Sequence, residues 1–563
     1  MAWLRHRKWS LAVELACIAL LLLLRASTLP GMHMPSLGGD YPFWASRNDL
    51  VLEGPDAGEW AINAWYTHRG QLDQVDVHRM PVWLVLTGGA LFFQDDVALA
   101  GHLVNHGLGF VLVLAMYGLG RAGGGPAVGL AAGALVALCD PLVIPTRRYG
   151  VDAAVSAVLP IALLAALPVR RVPWLAPFAG LVAGFFCLVH YTAIPFVIPA
   201  VLLVHWSFSQ GYKSALATLG HIAGVVLALW VMSRLFPLPS PEVFMTSVRE
   251  GMGEAPDGGQ DGPINAVKGS TNLPMVLAAM LMPFWPKGVP WGLMSALPWL
   301  GVLGAGLAKP PDDEPSKPLA LLRTCDLPLG LATLCCLAPM PLLLALDAPP
   351  RYATNLLPFL ALLIARGFAS LVALPEAALR LWRPRWPRGV AAVLPALLLL
   401  FTAWGKGAGL RAAPLPPPQR PFAARELGEA MRAQLPGEGG AFSELREAAA
   451  QAGRKYCPST PCPRGTSERD FEGCLAILAD ECGGEGPIPY VAIVRDTVPL
   501  SPEEVAMAQW AMARFGVLSS VSNAEIEAHL VAIPREVAEA AEPAPVSGPA
   551  GPAVPPPAVP PPP

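Results

Sequence analysis

The stretch GPDAGEWAINAWYTHRGQLDQVDVHRMP, residues 54–81, is polar and contains Asp, Glu, His, Arg and Trp, yet it lies between long apolar runs. On its N-terminal side, MAWLRHRKWSLAVELACIALLLLLRAST (1–28) has a basic start and a long apolar run with no A-x-A cleavage motif. We interpret this run as a membrane span that is retained rather than as a cleaved signal peptide. Another apolar run begins near residue 97. The polar stretch is therefore predicted to lie in a loop between two membrane spans.

The composition is typical of a polytopic α-helical membrane protein. Of the 563 residues, 53% are hydrophobic and 14% are charged, whereas soluble domains carry about 25% charged residues. The net charge is −3, whereas nucleic-acid-binding proteins usually carry an excess of positive charge, so we expect no nucleic-acid partner. A span needs roughly 20 apolar residues, and this length predicts about eleven spans. They lie near residues 9–28, 97–119, 126–144, 152–168, 174–189, 192–207, 214–236, 289–308, 327–346, 353–373 and 389–405.

Basic residues predict the orientation of these spans, because short cytoplasmic loops are enriched in Lys and Arg. With the N-terminus in the cytoplasm, nearly every basic cluster of a short loop falls on the cytoplasmic side. The exceptions are Arg147–Arg148 and Arg351, which this topology places outside and which therefore need a reason. We expect a multi-pass protein of the bacterial inner membrane whose C-terminal region is periplasmic.

The chain is predicted to have four parts. They are a membrane domain (1–405) with external loops at 29–96 and 238–288, a Pro-rich linker (406–421), a small periplasmic α/β domain (422–536) and a disordered Pro-rich tail (537–563). Within the α/β domain, IPYVAIVR (488–495) and AHLVAIPR (528–535) are predicted strands, and Ser501 is the predicted N-cap of a helix.

Four cysteines lie in the predicted periplasmic domain: Cys457, Cys462, Cys474 and Cys482. In an oxidising compartment they predict up to two disulfides, with the pairing left open. Zinc is the alternative, but their spacing, C-x4-C-x11-C-x7-C, lacks the close C-x2-C pairs of most zinc sites.

The first polar loop also carries a pattern of chemically active residues. A helix starting at Asp56 would place Asp56, Trp60 and Ala64 on one face, and His78–Arg79 follows shortly before a proline. This arrangement resembles the first external loop of the GT-C glycosyltransferases. It is most similar to the branch with the dolichyl-phosphate-mannose–protein mannosyltransferases and the lipid A aminoarabinose transferases.

In that branch the loop reads roughly D-E-x-x-Y-x-x-x-A, then Gly, then a basic residue and Pro. Trp60 and Arg79 take the aromatic and basic places in this chain. Ala57 stands where many relatives have Glu, and Glu59 follows two residues later.

Further matches occur in order along roughly residues 1–405. RRYGVDAAVSAVLPIALLAAL resembles the family's second external loop and gives Asp152, while GLVAGFFCLVHYTAIPFVIP places His190 where the family has Lys. PPRYATNLLPFLALLIARG resembles a late R-Y segment and gives Arg351 and Tyr352.

The resemblance implies an inverting glycosyltransferase that takes a sugar from a polyprenyl-phosphate donor. Carboxylates would orient or deprotonate the acceptor, and cations would stabilise the leaving phosphate. The catalytic candidates are Asp56, Asp152 and Glu59; the donor-phosphate candidates are Arg79, Arg351, Arg148, Arg147, His78 and Tyr352; and the further candidates are His190 and Trp60. No cofactor is certain, and a divalent metal on Asp56 and Asp152 stays an open alternative. The expected partners are the lipid bilayer, the lipid-linked donor and an envelope lipid, glycan or protein as acceptor.

Simpler explanations exist for the same residues. Asp56 and Asp152 could be helix N-caps, Arg79 could bind lipid headgroups, and Arg351 could extend to the interface. A catalytically inactive scaffold for envelope assembly is the main alternative function. A transporter is less favoured, because the charges lie at the outer rim and no internal repeat is found.

Overall fold

The computed structural model describes much of the predicted membrane domain and most of the C-terminal domain. The described residues are 2–26, 55–76, 79–143, 146, 149–190, 193, 197–208, 210–236, 238, 297–301, 326–337, 355–382, 419–435, 437, 439–443, 445–457, 468–482, 486–496, 500–523 and 526–540. The chain divides into two units: residues 1–50 with 63–416, and residues 51–62 with 417–563.

Most helices before the C-terminal domain form from apolar runs of sequence, whereas the helix Pro55–Arg69 forms from the polar stretch at 54–81. These helices are α1 (Ala2–Ala26), α2 (Pro55–Arg69), α3 (Pro81–Ala90), α4 (Val97–Gly124), α5 (Pro126–Ala137), α6 (Asp140–Val143), α7 (Asp152–Ala166), α8 (Ala176–Cys187), α9 (Val197–Trp206), α10 (Gly211–Leu235), α11 (Asp326–Leu337) and α12 (Leu357–Trp382). Among the described residues, Val97–Gly124, Asp152–Arg170 and Gly211–Leu235 are long and apolar enough to cross a membrane. The predicted span at 389–405 lies outside the described residues.

Local sequence signals set where several of these helices begin. The helix α3 begins with Pro81 at its first position, where the missing N–H of proline costs no helical hydrogen bond. Asp96 caps α4, because its carboxylate accepts from the backbone N–H groups of Ala98 and Leu99 at 2.9 and 3.1 Å. Gly125, with φ of 85°, makes the turn between α4 and α5 in a conformation that favours glycine.

Helices α8 and α10 pack so closely that only glycine fits at their contact. A Cβ atom on Gly180 would lie 1.9 Å from the carbonyl oxygen of His221, and one on Gly224 would lie 2.0 Å from that of Pro177. Small residues at such contacts are typical of helix pairs in membranes. The opposite side of α10 exposes apolar side chains such as Leu216 and Trp230, which is the pattern expected of a face in contact with lipid.

Two charged residues of α1 have defined partners. Glu14 forms a two-point ion pair with Arg121 of α4, with N–O distances of 2.7 and 2.5 Å. Arg25 is buried and donates to the hydroxyl of Thr146 at 2.6 Å. Glu14 therefore pairs with a residue of the predicted cytoplasmic side, and Arg25 contacts the loop that precedes α7.

The C-terminal region forms an α/β domain. Its elements are α13 (Gln419–Gln434), β1 (Ala441–Ser443), α14 (Arg446–Gln451), β2 (Tyr456–Cys457), α15 (Glu468–Cys482), β3 (Ile488–Arg495), α16 (Pro502–Phe515), β4 (Ser519–Ser522), β5 (Glu527–Ile533) and α17 (Arg535–Ala540). The strand order is β2-β1-β3-β5-β4. The strand β1 is parallel to β2 and β3, whereas β5 is antiparallel to β3 and β4.

Helices cover both faces of this sheet. One core contains α15 and α16 residues with Val531, and the other contains α13 and α14 residues with Leu530. The strand at 488–495 and the N-cap role of Ser501 are both confirmed, the latter by a capping box with Glu504.

A disulfide joins Cys457 of β2 to Cys482 at the end of α15. These two side chains are therefore not available as zinc ligands. Cys474 is also disulfide-bonded, and Cys462 lies outside the described residues.

Candidate active site

The first acidic candidates lie at the start of α2. The helix begins at Pro55, so Asp56 is its second residue rather than the cap that precedes it. A carboxylate in the first turn is favoured there by the helix dipole. Ala57 is buried, whereas Glu59 is only partly buried. Positions 56 and 59 are neighbours on a helix surface, so a helical backbone itself puts the two acids on adjacent positions.

The aromatic candidate of α2 packs inside the protein. Trp60 is 4% exposed, and Ala64, one turn further, is fully buried. The face that holds Trp60 is thus a packed face of the helix. Residues 51–62 belong to the second unit, so the first turns of α2, which carry Asp56 and Glu59, are grouped with the C-terminal domain.

Arg79 lies in a turn that is fixed to α2. Its N–H donates to the carbonyl of Asp76 at 3.0 Å, and the N–H of Asp76 donates to the side-chain oxygen of Asn63 at 2.7 Å. The Arg79 side chain is 20% exposed, and its Nε lies 4.0 Å from the Asp76 carboxylate. Arg79 is therefore a largely buried cation held immediately before α3, and His78 beside it lies outside the described residues.

The start of α3 is joined to the loop that precedes α7. Trp83 donates from its indole N–H to the side-chain oxygen of Asn105 at 2.9 Å. The amide nitrogen of Asn105 donates to the carbonyl of Gly150, also at 2.9 Å. Gly150 precedes Asp152 by two residues. The Arg79 segment and the Asp152 segment therefore meet through one buried amide.

Asp152 is the first residue of α7, and the cap position before it is taken by Val151. The Ser156 hydroxyl, one turn into α7, lies 3.1 Å from the carbonyl of Asp152 and 3.2 Å from the side-chain oxygen of Asn355. Asn355 follows Tyr352 by three residues. Asn355 therefore contacts α7 one turn after Asp152, whereas Arg351 and Tyr352 lie outside the described residues.

His190 belongs to the same end of the helix bundle. The N–H of Val82, at the start of α3, donates to the carbonyl of Leu188 at 3.1 Å. His190 follows two residues later, is partly buried, and accepts from Ala193 N–H at 2.9 Å through its backbone carbonyl. The segments of Arg79, Asp152, His190 and Asn355 therefore converge.

Tyr149 is a further buried residue of this region that the sequence did not single out. Its ring packs edge-on against Trp83 at 5.1 Å and against His102 at 6.1 Å between centroids. Burial, and secondarily the charge of Asp96, hold the pKa of its hydroxyl well above the usual value. Its hydroxyl has no hydrogen-bond partner within the described part of the chain. Tyr149 follows Arg147 and Arg148, which lie outside the described residues.

One sequence signal could have revealed the supporting residues. The run GHLVNHG places His102, Asn105 and His106 on one side of an otherwise apolar helix, and all three are buried. Polar residues on one face of a membrane helix often mark a functional region. Within the described residues, no group of three or more His, Cys, Asp or Glu side chains is arranged to hold a metal ion.

Several solved structures share this fold. ArnT from Cupriavidus metallidurans bound to undecaprenyl phosphate is 14% identical, with a TM-score of 0.52, over 92% of this chain and 97% of that one. The same protein in its apo state gives 12% identity, a TM-score of 0.50, and coverage of 94% and 99%. The oligosaccharyltransferase of Archaeoglobus fulgidus in its apo form is 13% identical, with a TM-score of 0.51, over 85% of this chain and 69% of that one. No family model matches the sequence, and no curated protein matches it.

Proposed function

Because the chain has the fold of the GT-C membrane glycosyltransferases, we propose that it transfers a sugar from a polyprenyl-phosphate donor to an envelope acceptor. The acceptor is a lipid, a glycan or a protein. The observation that carries this proposal is the convergence of the Arg79, Asp152, His190 and Asn355 segments at one end of the helix bundle. A solved structure of the same fold contains undecaprenyl phosphate, which supports a donor of this class.

The proposed reaction is a single displacement at the anomeric carbon of the sugar. A nucleophilic group of the acceptor attacks this carbon while its bond to the phosphate oxygen breaks, so that the configuration inverts. Asp56 accepts the proton that the acceptor loses, with Glu59 beside it on the helix. Asp152 orients the sugar or the acceptor.

The polyprenyl phosphate leaves with a negative charge that needs stabilisation. We assign this role to Arg79, together with Arg351, Arg147 and Arg148, because guanidinium groups bind phosphate through paired hydrogen bonds. Arg351, Arg147 and Arg148 are also the exceptions to the predicted cytoplasmic location of basic residues in short loops. His78, Tyr352 and His190 complete the proposed donor site.

The site is proposed to face the periplasm of a bacterial cell, with the N-terminus in the cytoplasm and the C-terminal domain outside. The distribution of basic residues among the short loops supports this orientation. Acceptor binding is the role that we propose for the C-terminal domain, because this domain is proposed to lie on the same side of the membrane as the site.

Mass spectrometry of envelope glycans tests the function directly. A deletion strain is complemented with the wild type, with Asp56→Asn, or with Asp73→Asn, which changes an exposed acid of the same loop. We expect the wild type and Asp73→Asn to restore a missing sugar, and Asp56→Asn at equal expression to restore none. Full restoration by Asp56→Asn would instead favour the inactive scaffold or a transporter.

A further inference from the structure

The side chain of Asn105 connects two loops that the proposed function needs at a fixed separation. Arg79 lies four residues before Trp83, and Asp152 lies two residues after Gly150. Asn105 accepts from Trp83 and donates to Gly150, both at 2.9 Å. Its amide is thus a direct hydrogen-bonded link between the segment with the proposed phosphate-binding cation and the segment with the second acid.

The chemistry of the two partners fixes the orientation of this amide. An indole N–H can only donate and a backbone carbonyl can only accept. A flipped amide would therefore set N–H against N–H and oxygen against oxygen. Asn105 and Trp83 are both fully buried, so water cannot replace either bond.

The surroundings leave this link little freedom. The Tyr149 ring packs on Trp83 and also fills the space beside Gly101 of α4, where an added Cβ would lie 2.1 Å from the ring. Gly150 has φ of 152°, a backbone conformation that favours glycine. Among the described residues, the hydrogen bond at Gly150 and the packed ring of Tyr149 thus hold the loop that leads to Asp152, in addition to the bond from Arg25 to Thr146.

We propose that Asn105 is a positioning residue that holds the Asp152 loop against the Arg79 loop, and that donor binding depends on this link. The inference rests on the proposed function, because only a shared donor makes the separation of these loops important. Asn105 touches neither the donor nor the acceptor in this role. Its effect reaches them through Arg79 and Asp152.

Three variants of the full-length protein separate the two bonds. Asn105→Leu removes both bonds, Asn105→Asp keeps an acceptor for the indole but loses the donor to Gly150, and Trp83→Phe removes the indole bond together with part of the ring surface on which Tyr149 packs. Thr87→Val is the matched control. Thr87 is buried one turn after Trp83 on α3, and its hydroxyl has no hydrogen-bond partner among the described residues.

Two measurements are made on each purified variant. Hydrogen–deuterium exchange of peptides covering 149–155 reports on the loop, and titration with undecaprenyl phosphate reports on donor binding. We expect Asn105→Leu to raise exchange in this segment and to weaken binding about tenfold or more. In the double variant Trp83→Phe/Asn105→Leu, the loss of donor binding should be smaller than the sum of the two single losses, since both changes break one link. Thr87→Val should match the wild type.

Unchanged exchange at 149–155 in folded Asn105→Leu or Asn105→Asp overturns the inference, as does increased exchange with unchanged binding. Should Asn105→Leu not fold, exchange at 149–155 and binding of undecaprenyl phosphate are compared between the wild type and the variants Asn105→Asp and Trp83→Phe. A wild type that does not bind undecaprenyl phosphate refutes the proposed donor, and with it the dependence of donor binding on Asn105. The exchange measurement then decides only whether Asn105 holds the loop.

Discussion

Arg69 and Arg79 lie ten positions apart in the same polar stretch of sequence, and their surroundings differ. Arg69 is exposed, with its guanidinium 5.3 Å from the Trp65 ring, whereas Arg79 is largely buried at the start of α3. Hydrogen bonds to charged groups contribute about 1.5–3 kcal/mol. We therefore expect Arg79→Gln to weaken binding of undecaprenyl phosphate by about 10- to 100-fold, and Arg69→Gln to leave it nearly unchanged. Equal losses in a binding titration would indicate a general charge effect and contradict the assignment.

Tyr66 of α2 offers a test of burial in the same region. Burial raises the pKa of its hydroxyl to about 12, and the nearby Arg69 acts in the opposite direction. In the unfolded chain a tyrosine ionises near pH 10, so the folded state loses stability as the pH rises from about 10 towards 12. The phenolate absorbance of the wild type minus that of Tyr66→Phe should titrate near pH 12. A midpoint near 10 would mean that the hydroxyl is solvated.

Two glycines of α4 provide a matched pair for the packing of this element. A Cβ atom on Gly101 would overlap the Tyr149 ring, whereas one on Gly107 would meet nothing within 4 Å. We expect Gly101→Ala to displace Tyr149 and to abolish complementation of the deletion strain. Gly107→Ala should be neutral or slightly stabilising, because alanine favours a helix. Full complementation by Gly101→Ala at normal expression would show that the ring can move without consequence.

Elements with strong local signals could be predicted from the sequence. The strand at 488–495 and the N-cap at Ser501 follow from a short apolar run and a capping residue, and both occur as expected. The helix that starts beside Asp56 follows from spacing alone and begins at Pro55. In each case the residues that determine the structure are neighbours in the sequence.

The partners of the supporting residues in the candidate site could not be predicted in the same way. Asn105 contacts residues 22 positions before it and 45 positions after it, and no local pattern specifies such partners. The distribution of basic residues over all the short loops did identify Arg147, Arg148 and Arg351 as exceptions, because it depends on the whole topology rather than on a local pattern. Glu14 lies within an apolar span, where charged residues are rare, and its ion pair with Arg121 gives it a structural role.

For the whole molecule, the orientation can be tested through the disulfide of the C-terminal domain. The bond between Cys457 and Cys482 should persist in an oxidising compartment and is rare in the cytosol. We expect differential alkylation to show this. Cells are denatured without reductant in a first alkylating agent, then reduced and treated with a second agent, and each cysteine is read by mass spectrometry. Cys457 and Cys482 should carry the second label, whereas Cys187 and Cys336, which are free, should carry the first.

This result would also test the location of the basic loops, because the disulfide and the distribution of basic residues predict the same topology. If Cys457 and Cys482 are oxidised, the C-terminal domain lies outside, and the predicted spans then place Arg351 and Arg147–Arg148 at the periplasmic side. If both carry the first label, the domain is cytoplasmic and the proposed periplasmic site has the wrong orientation. The control cysteines exclude incomplete denaturation, since both are buried in the folded protein and react only after it unfolds.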